Sequence, residues 1–378
     1  MENLEAKELR RLVRTVFPPL AGEESLAILL DIPNTPESDT PAWRLRRALA
    51  YEWYRSLSER PLEAGLKDVA LIAYPSVDRN NADLPEHGFL QTEPPPDIAI
   101  DLADRKQSFQ QIFSEYQLLL APTQYSTTAP LKNAAKIFGF RAATMPGFSP
   151  AMIPALRLDY EKIHARCALL KQKLDVAVSA HTVFKVEENL LEMTFDLRYR
   201  TAHLSSGRFF EAGTAGNLPS GETYIVPYEG EKGEASRTAG LLPVQFDDEI
   251  VIYRVENNRA VEVMSSGEKS ESEAELLRRE PAYGNIAELG FGVLDGFGIE
   301  PIGEILLDEK LGFHVAFGRS DHFGGVVGPS SFSSPSQAVH IDRIYVPKVQ
   351  NRVQLLSVHL DLGSNWERII DRNGYIIF

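Results

Sequence analysis

A continuous apolar run, Ser25-Leu26-Ala27-Ile28-Leu29-Leu30-Asp31-Ile32-Pro33, constrains the fold of this chain more than any other stretch. Uninterrupted apolar character over so few residues marks a strand buried on both faces, as in parallel sheets covered by helices. The next stretch fits such a unit. Thr40-Pro41 reads as an N-cap followed by proline at the first helical position, and Trp43, Leu45, Leu49 and Trp53 continue an apolar stripe to about Ser58. Further strand candidates lie at 69–74, 98–102, 117–121, 141–145 and 174–180, with helical patterns at 107–116, 130–138 and 150–173. Strands and helices in alternation predict βαβ units. Residues 1–186 are therefore expected to form an α/β domain with a mostly parallel sheet.

The pattern changes after Lys185. Residues 191–198 alternate in polarity, and 249–255, 260–264 and 352–360 read as strands, with Asn257-Asn258 as a turn and one charged helical segment at 270–279. Residues 187–378 are expected to form a sheet-rich α+β domain, the metal-binding one. With 43% apolar residues, 378 residues suffice for two cores.

A formal net charge of −14 disfavours nucleic acid and anionic membrane as partners. Lys7, Arg10, Arg11 and Arg14 interleave with Leu9, Leu12, Val13 and Val16, the pattern of a solvated helix face. Cys167 is the only cysteine, which excludes an intrachain disulfide and a thiolate zinc cluster. No apolar run has signal-peptide or membrane-spanning length, so a cytoplasmic location is expected. The chain contains no Gly-x-Ser-x-Gly elbow, no His-Glu-x-x-His and no phosphate loop. Gly290-Phe291-Gly292 with Gly296 and Gly298 lacks the dinucleotide spacing; these glycines read as places where backbone approaches a neighbouring strand or site.

Residues 309–342 carry the chemistry. His340 and Asp342 are two apart in a β-branched run, so on a strand both side chains share a face, a spacing that suits one metal ion. His314 opens a second strand-like run and adds an imidazole to a mixed nitrogen and oxygen ligand set. The Ser-rich stretch 329–336 between them reads as a surface loop, with a mobile lid before His340 as the alternative. A second His-x-Asp pair, His359-Leu360-Asp361, shows how little the pair specifies alone. Glu222, Glu288 and Glu309 supply the missing weight: if they converge with Asp342, four carboxylates repel one another unless cations neutralise them.

Asn217-Leu218-Pro219-Ser220-Gly221-Glu222 with Ile225-Val226-Pro227, then Ala287-Glu288-Leu289-Gly290, Glu309, His314-Val315-Ala316-Phe317-Gly318 and His340-Ile341-Asp342 resemble the ordered motifs of the aminopeptidase T family. The resemblance spans roughly residues 200 to 345 and implies a homodimeric metallo-aminopeptidase acting on short peptides. It implies two divalent ions (zinc, cobalt or manganese) bound by Glu222, Glu288, Glu309, His314, His340 and Asp342, with Glu288 close to both. Metal-activated water would attack the scissile carbonyl, and Glu288 or Glu222 would take its proton. The sequence departs from the pattern at one place. A family tyrosine seven residues beyond the first histidine is Asp321 here, followed by His322; an ionised aspartate cannot donate to the oxyanion whereas His322 can, or either residue serves as an extra ligand. The family fold is also similar to that of a ring-opening dihydroxypyridine dioxygenase, in which two histidines and a carboxylate hold iron. His314, His340 and Asp342 match that set, with a small aromatic molecule as substrate. A non-catalytic relative is the third reading.

Overall fold

The computed structural model describes residues 2–102 and 105–378 and places the apolar run in the strand Ser25–Ile32. This strand lies at the middle of a seven-stranded sheet ordered Ala215–Asn217, Arg141–Thr144, Leu118–Ala121, Ser25–Ile32, Asp68–Pro75, His87–Gln91, Lys106–Ser108. The pairings among the first five are parallel, and the last two strands add antiparallel. All but the first residue of Ser25–Ile32 is buried, including Asp31, whose carboxylate accepts the N–H groups of Gln124 (2.7 Å) and Tyr125 (3.1 Å). The helix read from Thr40-Pro41 spans Pro41–Glu59, and Thr40 Oγ1 accepts the Trp43 N–H at 3.2 Å. These hydrogen bonds satisfy polar groups that the sheet and the helix end would otherwise leave unpaired.

Three local expectations are corrected. Residues 98–102 form a 3-10 turn, Ala99–Asp101, because Ile100 is 84% exposed and has no sheet to enter. The helical stretch 150–173 is broken into Pro150–Met152, Ile153–Leu156 and Tyr160–Leu174. Asp159 caps the last of these by accepting the N–H groups of Glu161 and Lys162. The strand expected at 174–180 begins at Ser179 and runs to Val186 with alternating burial.

The chain divides into two compact units, residues 1–164 with 207–220, and residues 165–206 with 221–378. The boundary expected at 186 falls inside the second, because Ser179–Val186 pairs with both Asn189–Asp196 and Val353–Asp361. This unit holds an eight-stranded sheet whose pairings are all antiparallel, running from Arg259–Val263 at one edge to Gly374–Tyr375 at the other. Asn257 and Asn258 form a hairpin turn within it, both at positive φ (49° and 66°).

The second sheet of the unit has five antiparallel strands ordered His340–Ile344, Phe313–Gly318, Ile286–Gly292, Glu222–Ile225, His203–Ser205. One face packs on the eight-stranded sheet through aromatic rings. Phe313 meets Phe184 at 6.2 Å and Phe195 at 6.5 Å between centroids, and Phe317 meets Tyr253 at 5.1 Å. Each buried ring of this kind contributes roughly 1.5–3 kcal/mol, so the register of the sheet is firmly held. The opposite face is thereby fixed too. Among the described residues no helix is long and apolar enough to cross a membrane.

Candidate metal centre

The period of two along these strands sends every expected ligand except Glu309 to that opposite face. Glu222 lies across from Gly292, Tyr224 across from Gly290, and Gly290 in turn across from His314. Glu288 is across from Ala316, Ala316 from Asp342, and Gly318 from His340. Functional side chains thus alternate with glycine and alanine on neighbouring strands. The small residues make the room: a β-carbon at Gly290 would meet His314 Nε2 at 1.9 Å, and one at Gly292 would meet the Lys310 carbonyl oxygen at 2.4 Å. Gly290 and Gly292 thus serve close approach, as expected, whereas Gly298 has nothing within 4 Å of a β-carbon and instead takes a left-handed φ of 79° at the end of a 3-10 turn.

Glu288 is the centre of the arrangement. One carboxylate oxygen is 3.2 Å from His314 Nε2 and the other 3.3 Å from His340 Nε2. His314 Nε2 is also 3.6 Å from Glu222 Oε2, and His340 Nε2 is 3.7 Å from Asp342 Oδ1. Two donor groups result, Glu222 with Glu288 and His314, and Glu288 with His340 and Asp342, each with its ligand atoms within 4.8 Å of one another. The first group is fully buried and the second partly open.

Both imidazoles are oriented from behind. His314 Nδ1 is 3.0 Å from the Gly312 carbonyl and His340 Nδ1 is 2.8 Å from the Arg319 carbonyl. A carbonyl can only accept, so each Nδ1 carries the proton and each Nε2 points into the site. Metal-binding histidines are held in this way. Glu222 Oε2 and Asp342 Oδ1 are buried without a hydrogen-bond partner, which is costly unless a cation faces them. The residues therefore fit a divalent ion.

The electrostatics follow from this crowding. Burial works to raise the Glu288 carboxyl, but hydrogen bonds from His314 and His340 outweigh it and bring it down to about 2. Asp342 is likewise pulled well down, the charge of His340 overcoming burial. Burial would lower His314, yet its hydrogen bond and charge interaction with Glu288 raise it to about 9. His340 also rises, against burial, through Asp342 and Glu288.

Glu309 stands apart. Among the described residues it belongs to neither donor group, and its carboxylate is bonded to the ammonium of Lys310. Burial pushes it up to about 8 despite that neighbour. Asp321 is also turned elsewhere: it accepts from Arg319 Nε at 2.5 Å and stays ionised. His322 sits at the rim beside His340, ring centroids 5.3 Å apart. Its side chain is 35% exposed, yet the protein packed around the ring and the charge of His340 hold its pKa down to about 4, so it is neutral near pH 7.

Two residues of the site were missed in the sequence. Lys310 is 1% exposed and donates to Glu222 Oε1 at 2.5 Å. Its signal was a lysine set between Leu306, Leu307 and Leu311, a poor place for a solvated charge. Tyr224, two residues from Glu222 on the same strand, shares its face; burial and then the charge of Glu288 keep its phenol protonated well above the ordinary range. The Phe323 ring lies 4.8 Å from Tyr224 and 5.4 Å from His340. By contrast His359 and Asp361 lie on the other sheet, engaged with Arg368 and the Gly363 N–H. The loop at 329–336 is tied down, Ser333 donating its N–H to Glu280 at 2.9 Å.

No protein-family model matches the chain, and no curated protein matches it. Two solved structures share the fold over nearly the whole chain. A 2,5-dihydroxypyridine dioxygenase from Pseudomonas putida KT2440 superposes with a TM-score of 0.61 at 14% identity, covering 99% of each chain. Wild-type AmpT, an aminopeptidase T, from Thermus thermophilus superposes with a TM-score of 0.53 at 15% identity, covering 98% of this chain and 99% of its own. At such identities the likeness is one of fold. The resemblance read from the motifs holds at that level, and both neighbours are named as enzymes.

Proposed function

We propose that the chain is a metal-dependent hydrolase of small amides, short peptides with a free N-terminal residue being the first class to test. The observation that carries this reading is the pair of overlapping donor groups on Glu288, with both imidazoles locked through Nδ1 so that Nε2 faces the carboxylates. Glu222, Glu288, His314, His340 and Asp342 would hold the ion. A divalent ion supplies Lewis acidity there, lowering the pKa of a water and polarising the scissile carbonyl.

The chain's own residues divide the remaining work. Glu288, shared between two imidazoles and brought down to about 2, is a weak base, and His322, held down to about 4, is another; the water's proton would pass to Glu222, whose carboxyl is raised by burial and whose Oε2 has no hydrogen-bond partner. Tyr224 keeps its proton and can donate it to the oxygen that gains charge as the carbonyl becomes tetrahedral. It takes over the task for which Asp321, an ionised acceptor, is unsuited. The His340 and Asp342 side is the more open one and admits substrate.

The test is chelation followed by reconstitution with zinc, cobalt or manganese, assayed on aminoacyl amides and dipeptides, with His340→Ala as the inactive control. Failure of every ion to support hydrolysis removes the reading. One observation favours a second: two imidazole Nε2 atoms and Asp342 around Glu288 also make the two-histidine, one-carboxylate set of oxygen-activating iron sites. Oxygen uptake with ferrous iron and a dihydroxypyridine, in the absence of peptide hydrolysis, would put that reading first.

A further inference from the structure

Four carboxylates, Glu222, Glu288, Glu309 and Asp342, lie buried or nearly so around one small volume. Lys310 is the permanent cation among them. Its ammonium donates to Glu222 Oε1 and to Glu309, neither of which shares the donor group of His340. Its backbone is pinned as firmly as its side chain. Lys310 N–H donates to the Leu307 carbonyl at 3.0 Å, its own carbonyl accepts the Leu294 N–H at 2.9 Å, and glycine at 292 is what lets that strand pass so near. A long, flexible side chain is held in one place from both ends.

We propose that the Lys310 ammonium is a built-in second cation, so that the centre takes one exchangeable divalent ion where a pair of acidic half-sites would otherwise take two. Glu222 joins the halves: Oε1 accepts from Lys310, while Oε2, without a hydrogen-bond partner, faces His314 and Glu288. Glu309 is thereby a partner of Lys310 and not a metal ligand. The charges agree with this count. Even with all four carboxylates ionised, one divalent ion with one ammonium offsets three of the four negative charges, whereas two ions with the ammonium would leave a net positive charge sealed in a low-dielectric interior. The consequence for substrate follows directly. A second ion that could anchor the free amine of a peptide is absent, so recognition of the amine passes to the remaining carboxylates or is not required.

This inference rests on the metal-centre reading of the proposed function, and metal stoichiometry separates the two. Metal-free full-length protein is titrated with cobalt and with zinc, and bound metal is measured by elemental analysis after gel filtration. Wild type is expected to hold one ion per chain and Glu309→Gln the same one ion. Lys310→Ala, shown folded by circular dichroism, is expected to gain a second. Two ions in wild type, loss of the ion in Glu309→Gln, or no gain in a folded Lys310→Ala would each overturn the assignment of Lys310 while leaving a metal centre standing. No ion in wild type overturns both. Should Lys310→Ala fail to fold, the wild-type and Glu309→Gln counts still decide.

Discussion

Gly290 lies beneath the His314 imidazole, so close that a β-carbon at 290 would come within 1.9 Å of His314 Nε2. The ring cannot swing clear, because its Nδ1 proton is bonded to the Gly312 carbonyl and the residue is 0% exposed. Gly290→Ala is therefore expected to displace the imidazole from Glu288 and to cost about 1–3 kcal/mol through overpacking. Denaturant unfolding reads the stability and metal titration reads the site. Unchanged affinity in the alanine variant would show that His314 is not a ligand.

The two histidines make metal binding and apo stability move in opposite directions with pH. In the chelated protein His314 has its pKa raised from 6.5 to about 9, so its stabilising contact with Glu288 is complete below about 6.5 and is lost as pH rises through 9. An ion must displace that proton to reach Nε2, so its affinity should climb across the same interval, roughly tenfold per pH unit for each proton displaced. Calorimetric titration in buffers of different ionisation enthalpy measures the protons released. Release of none near pH 7 would mean that the imidazoles are already neutral.

Much of this site was legible because strand side chains repeat with a period of two. His340 and Asp342 share a face for that reason, and Glu288 and His314 join them once their strands pair. The partition of the carboxylates was not legible. Nothing in the order Glu309-Lys310 tells which side chain turns inward, and that depends on the Gly292 passage and on the Leu294 N–H that fixes the lysine carbonyl. In the fold, the central strand at Ser25–Ile32 was plain from its unbroken apolar run, whereas residues 98–102 carried similar composition into an exposed turn. Local hydrophobicity reports burial only where a partner surface exists.

Tyr224 offers a clean separation of binding from chemistry. Its phenol stays protonated at every working pH, and Phe323 contacts both its ring and that of His340. Tyr224→Phe keeps the ring and removes the donor. If the phenol serves the developing oxyanion, kcat should fall by roughly 10²–10³ with little change in KM, and metal stoichiometry should be that of wild type. Equal kcat values for the two proteins would assign the oxyanion to another donor.

Glu273 tests the scaffold without touching the centre. Its carboxylate accepts the phenol of Tyr253 at 2.8 Å and that of Tyr283 at 2.6 Å, and both rings pack against Phe317 on the strand that carries His314. Glu273→Ala strands two buried hydroxyl groups, at about 1–3 kcal/mol each. The loss should be partly restored in Glu273→Gln, whose amide oxygen still accepts. Burial acts to raise the Glu273 carboxyl, but the two phenols and Lys269 bring it below its ordinary 4.5. The stabilisation is thus complete above about 4.5 and is lost as pH falls through the depressed value. Wild type should accordingly lose more stability than Glu273→Ala between pH 5 and pH 3. Parallel stability curves for the two proteins over that range would show that the carboxylate is not what holds the tyrosines. Because Glu273 faces away from the ligands, metal stoichiometry in both variants should equal that of wild type, and a lower count would mean that the aromatic layer behind the sheet sets the geometry in front of it.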